Sequence, residues 1–391
     1  MSGRYVRAFW LWLHRWLGFA LGLPLLVVGL SGSILVFYPT LDRLLDSRIA
    51  SVTGCEVLPP ERILEGLQQQ LPERIGSWRL EMPMEPGLPY NARFMNPVET
   101  RGAGFAPLLV WIQPCSGDVL RQGFWGQTLM TWIYNLHYQL LLGATGSNLV
   151  AWGGLVTLLL TLVGLWLWWP KAWWRGSSWR KALQWRQAAH PAVSSWQRHV
   201  LVGFYSLPLW LLLVITGVLL DAPGWYNSLA NRVSPLPPYV MYHSVLYGSQ
   251  PAMSATPVTA ADTIRIAHQQ FPQAELRWLE TPADMLGVYQ VRLYQDGEPG
   301  RRFPQTRLVI DQYSGKVLMR HDPFEDNAGA TVQRWLHPLH SGEAFGLVGR
   351  WLVLLCGLLP VWMLWTGTQR WYIKRQARQR MQLRTQNAER H

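Results

Sequence analysis

Four long runs without charged residues alternate with polar segments along the chain. The runs cover residues 16–41, 122–170, 199–220 and 351–369. A helix needs about 20 mostly apolar residues to cross a bilayer, so each run predicts one membrane span. The second run is more than twice that length, and its first part (122–146) is therefore predicted to lie at the membrane interface. The first span is too long for the apolar region of a signal peptide, so we expect it to be retained.

The polar segments between the first two runs and between the last two have the pattern of small α+β domains. Each begins with an amphipathic stretch that predicts a helix, at 62–71 and at 259–271. Each then has a Ser-Gly hairpin turn, Ser116-Gly117 or Ser314-Gly315, with a strand on either side. The chain is therefore predicted to be an internal duplication of a helix, a small α+β domain and a helix. The strands predicted before the turns are 78–81, 90–94 and 108–113 in the first segment and 276–279, 288–294 and 306–310 in the second.

Composition and charge predict the orientation. Of all residues, 49% are hydrophobic and 15% are charged, against about 25% charged in a soluble domain. Segments 1–15, 171–198 and 370–391 hold 3, 6 and 7 Lys or Arg residues and one acid, so they carry +15 and the rest of the chain −3 of the total +12. Short basic segments beside spans mark the cytoplasmic side. Both termini are therefore predicted to be cytoplasmic, and the basic charge indicates membrane lipid, with no nucleic acid as partner.

The predicted fold is an α-helical membrane protein with α+β extramembrane domains. Its four-helix transmembrane bundle carries two external domains, which lie in the periplasm of a Gram-negative cell. In chain order, the predicted segments are the cytoplasmic N-terminus with transmembrane helix 1 (1–41), the first external domain (42–135), an interfacial segment with transmembrane helix 2 (136–170), a basic cytoplasmic loop (171–198), transmembrane helix 3 (199–220), the second external domain (221–336), an interfacial segment with transmembrane helix 4 (337–369) and a basic cytoplasmic tail (370–391).

Four histidines recur at matching positions in the two halves. His14 and His199 each precede a glycine by 18 residues, and His137 and His340 each precede three glycines by 6, 9 and 27 residues. Imidazole is a common axial ligand of haem iron. A parallel duplication predicts a pseudo-twofold axis along the membrane normal, which would pair His14 with His199 and His137 with His340. We therefore predict two b-type haems, one near the cytoplasmic face and one near the external face, with these histidines as iron ligands.

Other histidines and three arginines are weaker candidates. His337 lies one turn before His340 and is either a ligand or a partner of a haem propionate, but its counterpart in the first half is Tyr134. Propionate contact is also an alternative for three arginines that we interpret first as interfacial anchors: Arg15, Arg198 and Arg350. The remaining interior histidines are interpreted as solvated or surface residues: His190, His243, His268 and His321.

The chain has three cysteines, which limit its possible disulfide and thioether bonds. Cys356 lies within the fourth span and is interpreted as packing. Cys55 and Cys115 share the first external loop, where a disulfide could persist. Sequence alone does not establish the approach that such a bond requires, so the pair stays an open candidate. The absence of a C-x-x-C-H motif predicts haems without thioether links.

Three motifs carry a resemblance to a known family. The stretch His14-Arg15-Trp16-Leu17-Gly18 with Pro24 and Ser31-Gly32 resembles the start of the PepSY-associated transmembrane helix family. Leu339-His340-Ser341-Gly342-Glu343 resembles its most distinctive signature, and the Ser-Gly hairpins resemble the ends of PepSY domains. The first half departs from the signature with Leu136-His137-Tyr138-Gln139, and the third span begins Arg198-His199 instead of His-Arg.

Within that family the chain is most similar to the inner-membrane ferrisiderophore reductases, including the ferrioxamine reductases. The resemblance implies an oxidoreductase of the bacterial inner membrane with two periplasmic PepSY-like domains. It also implies electron transfer through two bis-histidine haems to a periplasmic ferric siderophore. The sequence does not identify the electron donor, for which a quinol and a cytoplasmic reductase are the two alternatives.

Three other functions stay open at this point. A b-type cytochrome could serve a different acceptor, such as quinone, superoxide or cupric ion, and substrate-dependent haem oxidation would distinguish it. A non-enzymatic PepSY binding or regulatory protein would be colourless when purified. A transporter is disfavoured, because the spans lack interior charged residues and paired broken helices beyond Pro24 and Pro208.

Overall fold

The computed structural model describes residues 3–185, 191–237, 247–251 and 256–388, which form two compact units. The helical unit comprises residues 1–36, 136–222 and 339–391, and the sheet unit comprises residues 37–135 and 223–338. The helices are α1 (Gly3–Leu35), α2 (Tyr38–Leu45), α3 (Pro60–Gln70), α4 (Leu129–Gln139), α5 (Gly143–Trp168), α6 (Gly176–Leu183), α7 (Pro191–Asp221), α8 (Pro223–Val233), α9 (Ala260–Gln270), α10 (Ala328–Ser341), α11 (Gly346–Gly357) and α12 (Leu359–Ala388). The strands are β1 (Trp78–Glu81), β2 (Tyr90–Phe94), β3 (Leu108–Ile112), β4 (Val119–Phe124), β5 (Glu275–Glu280), β6 (Val288–Tyr294), β7 (Thr306–Asp311) and β8 (Val317–His321).

The helical unit contains four stretches that are long and apolar enough to cross a membrane. In each, only 17% to 22% of the most apolar window is buried inside the protein. A soluble protein would bury such windows, so their exposure indicates contact with lipid. The stretches are Arg4–Leu35, Gly143–Trp168, Pro191–Asp221 and Glu343–Ala388.

These stretches pack as a closed four-helix bundle. Helix α1 contacts α5, α5 contacts α7, α7 contacts α12, and α12 contacts α1. The fourth stretch changes helix at Leu358, and Pro360 sits in the first turn of α12, where a missing N–H costs nothing. Beside this break Gly29 and Gly357 approach through their backbones, and the Ser33 hydroxyl donates to the Leu354 carbonyl at 2.9 Å. Small residues thus let α1 and α11 pack closely.

Helix boundaries differ from the sequence prediction at the first and last spans. Helix α1 begins at Gly3 and ends at Leu35, and the last residues of the apolar run belong to α2 in the sheet unit. The basic tail continues α12 as far as Ala388. Charged residues mark the end of the apolar surface of a helix, but the helix itself can continue through them.

The sheet unit contains one antiparallel sheet of eight strands, in the order β4-β3-β2-β1-β5-β6-β7-β8. The two predicted external domains therefore share a sheet, through the pairing of β1 with β5, which sets Leu80 opposite Leu279. Two separate four-stranded sheets would each expose an edge at β1 or β5, and their mutual pairing removes both edges.

One face of this sheet is packed on α3 and α9. Alternate strand residues such as Leu80, Val110, Leu279 and Leu308 are fully buried in that core.

The two Ser-Gly turns are alike, because Gly117 and Gly315 both adopt positive φ (+78° and +68°), a backbone region that suits glycine. The predicted strands and turns agree with these bounds to within one or two residues.

Candidate functional site

The structure brings the four recurring histidines together as two pairs in the helical unit. The ring centroids of His14 and His199 are 6.4 Å apart, with an interplanar angle of 87°. Those of His137 and His340 are 6.1 Å apart, with an angle of 46°. The pairs join equivalent positions of the two halves, whereas the role of the histidines as iron ligands stays a prediction.

Different local structures place the two pairs. His14 lies within α1 and His199 within α7, so their positions are fixed by helix packing. His137 and His340 lie in the last turns of α4 and α10. Both of these helices end abruptly, because Leu140 and Leu141 adopt positive φ (+49° and +60°) after the first and Gly342 (+78°) after the second. The turn then leads into the apolar span that follows.

Each imidazole bonds a neighbouring helix through Nδ1. Two acceptors are backbone carbonyls, which can only accept, so Nδ1 carries the proton there. The other two acceptors are the hydroxyls of Thr366 and Thr216. These hydroxyls lie 2.8 Å from the Trp362 carbonyl and 2.7 Å from the Leu212 carbonyl, to which they can donate. A hydroxyl that donates in this way accepts a hydrogen bond from the ring. In this tautomer the lone pair is on Nε2. The acceptors are the carbonyls of Leu160 (from His14, 3.2 Å) and Val28 (from His137, 2.9 Å) and the hydroxyls of Thr366 (from His199, 2.9 Å) and Thr216 (from His340, 3.0 Å).

A glycine of another helix lies against the Cε1 atom of each ring. An added Cβ would be too close in three cases and in ordinary contact in the fourth, so the glycines provide room for the imidazoles. These are four of the glycines whose spacing from the histidines repeats along the sequence. The distances from the built Cβ to Cε1 are 2.7 Å for Gly32 and His137, 2.8 Å for Gly164 and His14, 3.0 Å for Gly217 and His340, and 3.8 Å for Gly367 and His199.

The pairs fit a metal ion held between two imidazoles. An imidazole nitrogen binds a metal at about 2 Å, and two such bonds in line would place the ring centroids about 6 Å apart. The observed 6.4 Å and 6.1 Å match that separation. Nδ1–H bonded to a neighbouring acceptor is the arrangement that orients a metal-ligating histidine. Within the described ranges, no group of three or more His, Cys, Asp or Glu is placed to hold a metal, so a tightly bound centre here would need a group that supplies the other ligands, as a haem does.

His337 lies one helical turn before His340 in α10. Its ring packs edge-on against Phe303, at 4.7 Å between centroids, in the sheet unit. Burial, and then the nearby Arg302, lower the pKa of His337 to about 4. Its Nδ1 atom is buried without a hydrogen-bond partner among the described residues, so a role of His337 towards a haem stays a prediction.

The three candidate arginines lie within helices α1, α7 and α11. Arg15 stacks over Trp16 at 5.5 Å, and Arg198 stacks over Trp365 at the same distance and donates to Gln369 at 3.2 Å. The Nε atoms of Arg15 and Arg198 are buried without a hydrogen-bond partner among the described residues. Arg350 is half-buried in α11. Tryptophan contacts are typical of interfacial anchors.

Two cysteines and one further histidine of the sheet unit were also considered in the sequence analysis. Cys55 and Cys115 form a disulfide, with Cα atoms 6.0 Å apart. The interpretation of His321 as a surface residue is wrong, because it is buried and bonds the buried Asp326 at 3.0 Å. His321 is the last residue of strand β8. The sequence analysis considered only whether metal ligands lie nearby, and that criterion does not report burial. His190 and His243 lie outside the described residues.

Sequence reasoning missed the hydroxyls beside the rings. Ser31, Thr216 and Thr366 each directly precede a glycine that contacts an imidazole. The repeated Ser/Thr-Gly dipeptide was the available signal, and it could have been found by aligning the two halves on their histidines.

Comparison with known proteins identifies the family. The family model described as the PepSY-associated TM region matches residues 11–374. The match covers nearly the whole chain, so the protein belongs to this family. No curated protein matches the sequence.

Proposed function

We propose that this member of the PepSY-associated transmembrane family is a di-haem reductase that passes electrons from the cytoplasmic or membrane side to a periplasmic ferric siderophore. Reduction to Fe(II) weakens hard oxygen chelation, so iron would be released for uptake. The observation that carries the proposal is the pairing of four histidines at ring separations of 6.4 and 6.1 Å, in a bundle suited to a membrane.

The histidine pairs are proposed to hold two b-type haems, His14 and His199 near the cytoplasmic face and His137 and His340 near the periplasmic face. When bound, such a group would supply one-electron oxidation and reduction. The residues of this chain hold Nε2 in the ligand tautomer, fix the ring planes through Nδ1 and keep room for the rings through glycine. These contacts are partly buried among the helices.

The placement of the chain is also part of the proposal. We infer an internal duplication, with both termini in the cytoplasm and two PepSY-like halves of the sheet unit in the periplasm of a bacterial inner membrane. Support comes from the basic segments beside the spans, the matched Ser-Gly turns and the repeated histidine–glycine contacts. The Cys55–Cys115 disulfide is consistent with an oxidising compartment.

The donor and acceptor follow from this placement. The sheet unit is the folded part on the external side, so it would receive the acceptor. The choice of a ferric siderophore rests on the resemblance to ferrisiderophore reductases. The donor would be a quinol in the bilayer or a cytoplasmic reductase.

Haem content and ligand assignment test the proposal first. A pyridine haemochrome assay on the purified protein should give two b-type haems per chain. His14→Ala and His199→Ala should remove one and the same haem, and His137→Ala and His340→Ala the other. His268→Ala, in α9 of the sheet unit, is the matched control and should retain both. A protein with one haem or none, or loss of the same haem in His14→Ala and His340→Ala, would refute the model.

Reoxidation kinetics test the acceptor. Dithionite-reduced protein should be oxidised by ferric hydroxamate siderophores, with ferrous iron captured by a ferrous-specific chelator. Haems that stay reduced with ferric siderophores but oxidise promptly with quinone, superoxide or cupric ion would instead establish an electron-transfer cytochrome. A colourless protein would favour a binding or regulatory role.

A further inference from the structure

Two threonine hydroxyls lie against the histidines that the second half of the chain contributes. The Nδ1 atom of His340 is 3.0 Å from the Thr216 hydroxyl, and that of His199 is 2.9 Å from the Thr366 hydroxyl. Both threonines are buried, at 3% and 0% exposure. A buried hydroxyl at hydrogen-bond distance from an imidazole is a built contact, because leaving the buried hydroxyl unpaired would be costly.

The helices favour one direction for these hydrogen bonds. The Thr216 hydroxyl lies 2.7 Å from the Leu212 carbonyl, and the Thr366 hydroxyl lies 2.8 Å from the Trp362 carbonyl. When each hydroxyl donates to that carbonyl, it presents a lone pair to the ring, and the imidazole donates from Nδ1. The result is a short relay from imidazole to hydroxyl to carbonyl that favours a lone pair on Nε2.

In the first half of the chain, the Nδ1 atoms of the histidines have different acceptors. Ser31, at the position equivalent to Thr216, is 3.4 Å from His137, whose closer acceptor is the Val28 carbonyl at 2.9 Å. Val163, at the position equivalent to Thr366, has no hydroxyl, and His14 bonds a backbone carbonyl. Each histidine pair thus combines one imidazole bonded to a backbone carbonyl with one bonded to a threonine hydroxyl, and His199 also bonds the Met363 carbonyl.

We propose that Thr216 and Thr366 are positioning residues that set the tautomer, the ring plane and the donor strength of His340 and His199. The inference rests on the proposed function, in which these rings bind haem iron through Nε2. An acceptor on Nδ1–H raises the basicity of the metal-bound nitrogen, and a more basic ligand stabilises Fe(III) over Fe(II). Each threonine therefore lowers the midpoint potential of its own haem and leaves the other haem unaffected.

Thr216→Val and Thr366→Val test the inference, since valine keeps the shape and removes the hydroxyl. Redox titration of the purified haem protein should show an upward shift in midpoint potential for the His137/His340 centre in the first variant and for the His14/His199 centre in the second. The ring planes differ by 46° and 87° in the two pairs, so the ferric EPR spectrum should distinguish the centres. Thr216→Ser and Thr366→Ser retain the acceptor and should restore values close to wild type.

Thr157→Val is the matched control. Thr157 is buried in a neighbouring span and makes the same back-bond, to the Gly153 carbonyl at 2.8 Å, with no imidazole contact among the described residues. The inference would be overturned if Thr216→Val and Thr366→Val had the same haem midpoint potentials as Thr157→Val. It would also be overturned if one variant shifted the potentials of both haems equally. Neither result would contradict the proposed function.

A readout without haem separates the two proposals. In apoprotein with ¹⁵N-labelled histidine, the ring signals of His199 and His340 should report the Nδ1–H tautomer, assigned by their loss in His199→Gln and His340→Gln. Each valine variant should shift its own ring towards a mixture of tautomers. Unchanged ring signals would overturn the role of the threonines, whereas a wild-type protein that binds no haem would refute the proposed function alone.

Discussion

At the residue scale, room for the imidazole rings comes from glycines on neighbouring helices. The sequence predicted the histidines and these glycines together, because both recur at fixed intervals in the two halves. It could not predict which glycine faces which ring, since that depends on helix rotation. In the structure, the glycine that faces His137 is Gly32 and the one that faces His14 is Gly164, so the contacts cross between the two spans of one half.

Gly32→Ala should disrupt the His137/His340 pair. The new methyl would lie 2.7 Å from Cε1 of His137, and the ring is held in place by its bond to the Val28 carbonyl. Overpacking of this kind costs about 1–3 kcal/mol, so we expect a lower melting temperature and loss or distortion of one haem spectrum. Thermal unfolding in detergent and the EPR spectrum measure the two effects.

Two other glycines provide the controls for that substitution. At Gly18, also in α1, an added Cβ meets no described atom within 4 Å. At Gly367 the added Cβ would lie 3.8 Å from His199, which is ordinary contact. Alanine should be tolerated at both positions, and a loss at Gly18 as large as that at Gly32 would show that the effect is unrelated to the ring.

His337 should give the sheet unit a pH-dependent stability. Its folded pKa is lowered from 6.5 to about 4 by burial and by Arg302. Between these values the unfolded chain binds more protons than the folded one, so stability rises with pH. Unfolding free energy should fall as the pH drops from 6.5 towards 4, by at most about 3 kcal/mol. Denaturant unfolding at several pH values in this range measures the change in unfolding free energy. His337→Phe should reduce the dependence of this free energy on pH. An unchanged dependence in that variant would show that other groups cause it.

At the element scale, local pattern located most helices and strands of the sheet unit. Strands β1, β2 and β6 have the predicted bounds, since alternation and turn residues mark strand ends. The pairing of β1 with β5 was not predicted, because nothing in either segment specifies a partner strand far along the chain. The pairing of the histidines followed from symmetry, which the repeat spacing revealed, whereas the threonine contacts required the packed helices.

The Cys55–Cys115 disulfide belongs to the element scale as well, because it closes a segment of 60 residues around α3 and the first three strands. Chain entropy predicts that such a link stabilises the folded state by about 4 kcal/mol. The double variant Cys55→Ser/Cys115→Ser should therefore unfold at lower denaturant concentration. Cys356→Ser, which removes the buried free cysteine of α11, is the comparison. Equal unfolding with and without reductant in wild type would contradict a stabilising bond.

At the scale of the whole molecule, the distribution of basic residues predicts the topology. Alkaline phosphatase folds to an active enzyme only outside the cytoplasm, so fusions after different residues report their location. A fusion after residue 251 should be active, and fusions after residues 185 and 388 should be inactive, with equal amounts of protein verified by immunoblot. The reverse pattern would place the sheet unit in the cytoplasm and remove the basis for a periplasmic acceptor.

The central pairing of β1 with β5 also sets an order of events during synthesis. Leu80 cannot meet Leu279 until roughly 200 further residues have left the ribosome, which takes about 10–40 s at about 5–20 residues per second. Throughout that interval the first four strands present an open backbone edge, which other chains could join. We therefore expect misassembly through that edge to be most frequent before the second half of the chain has been synthesised.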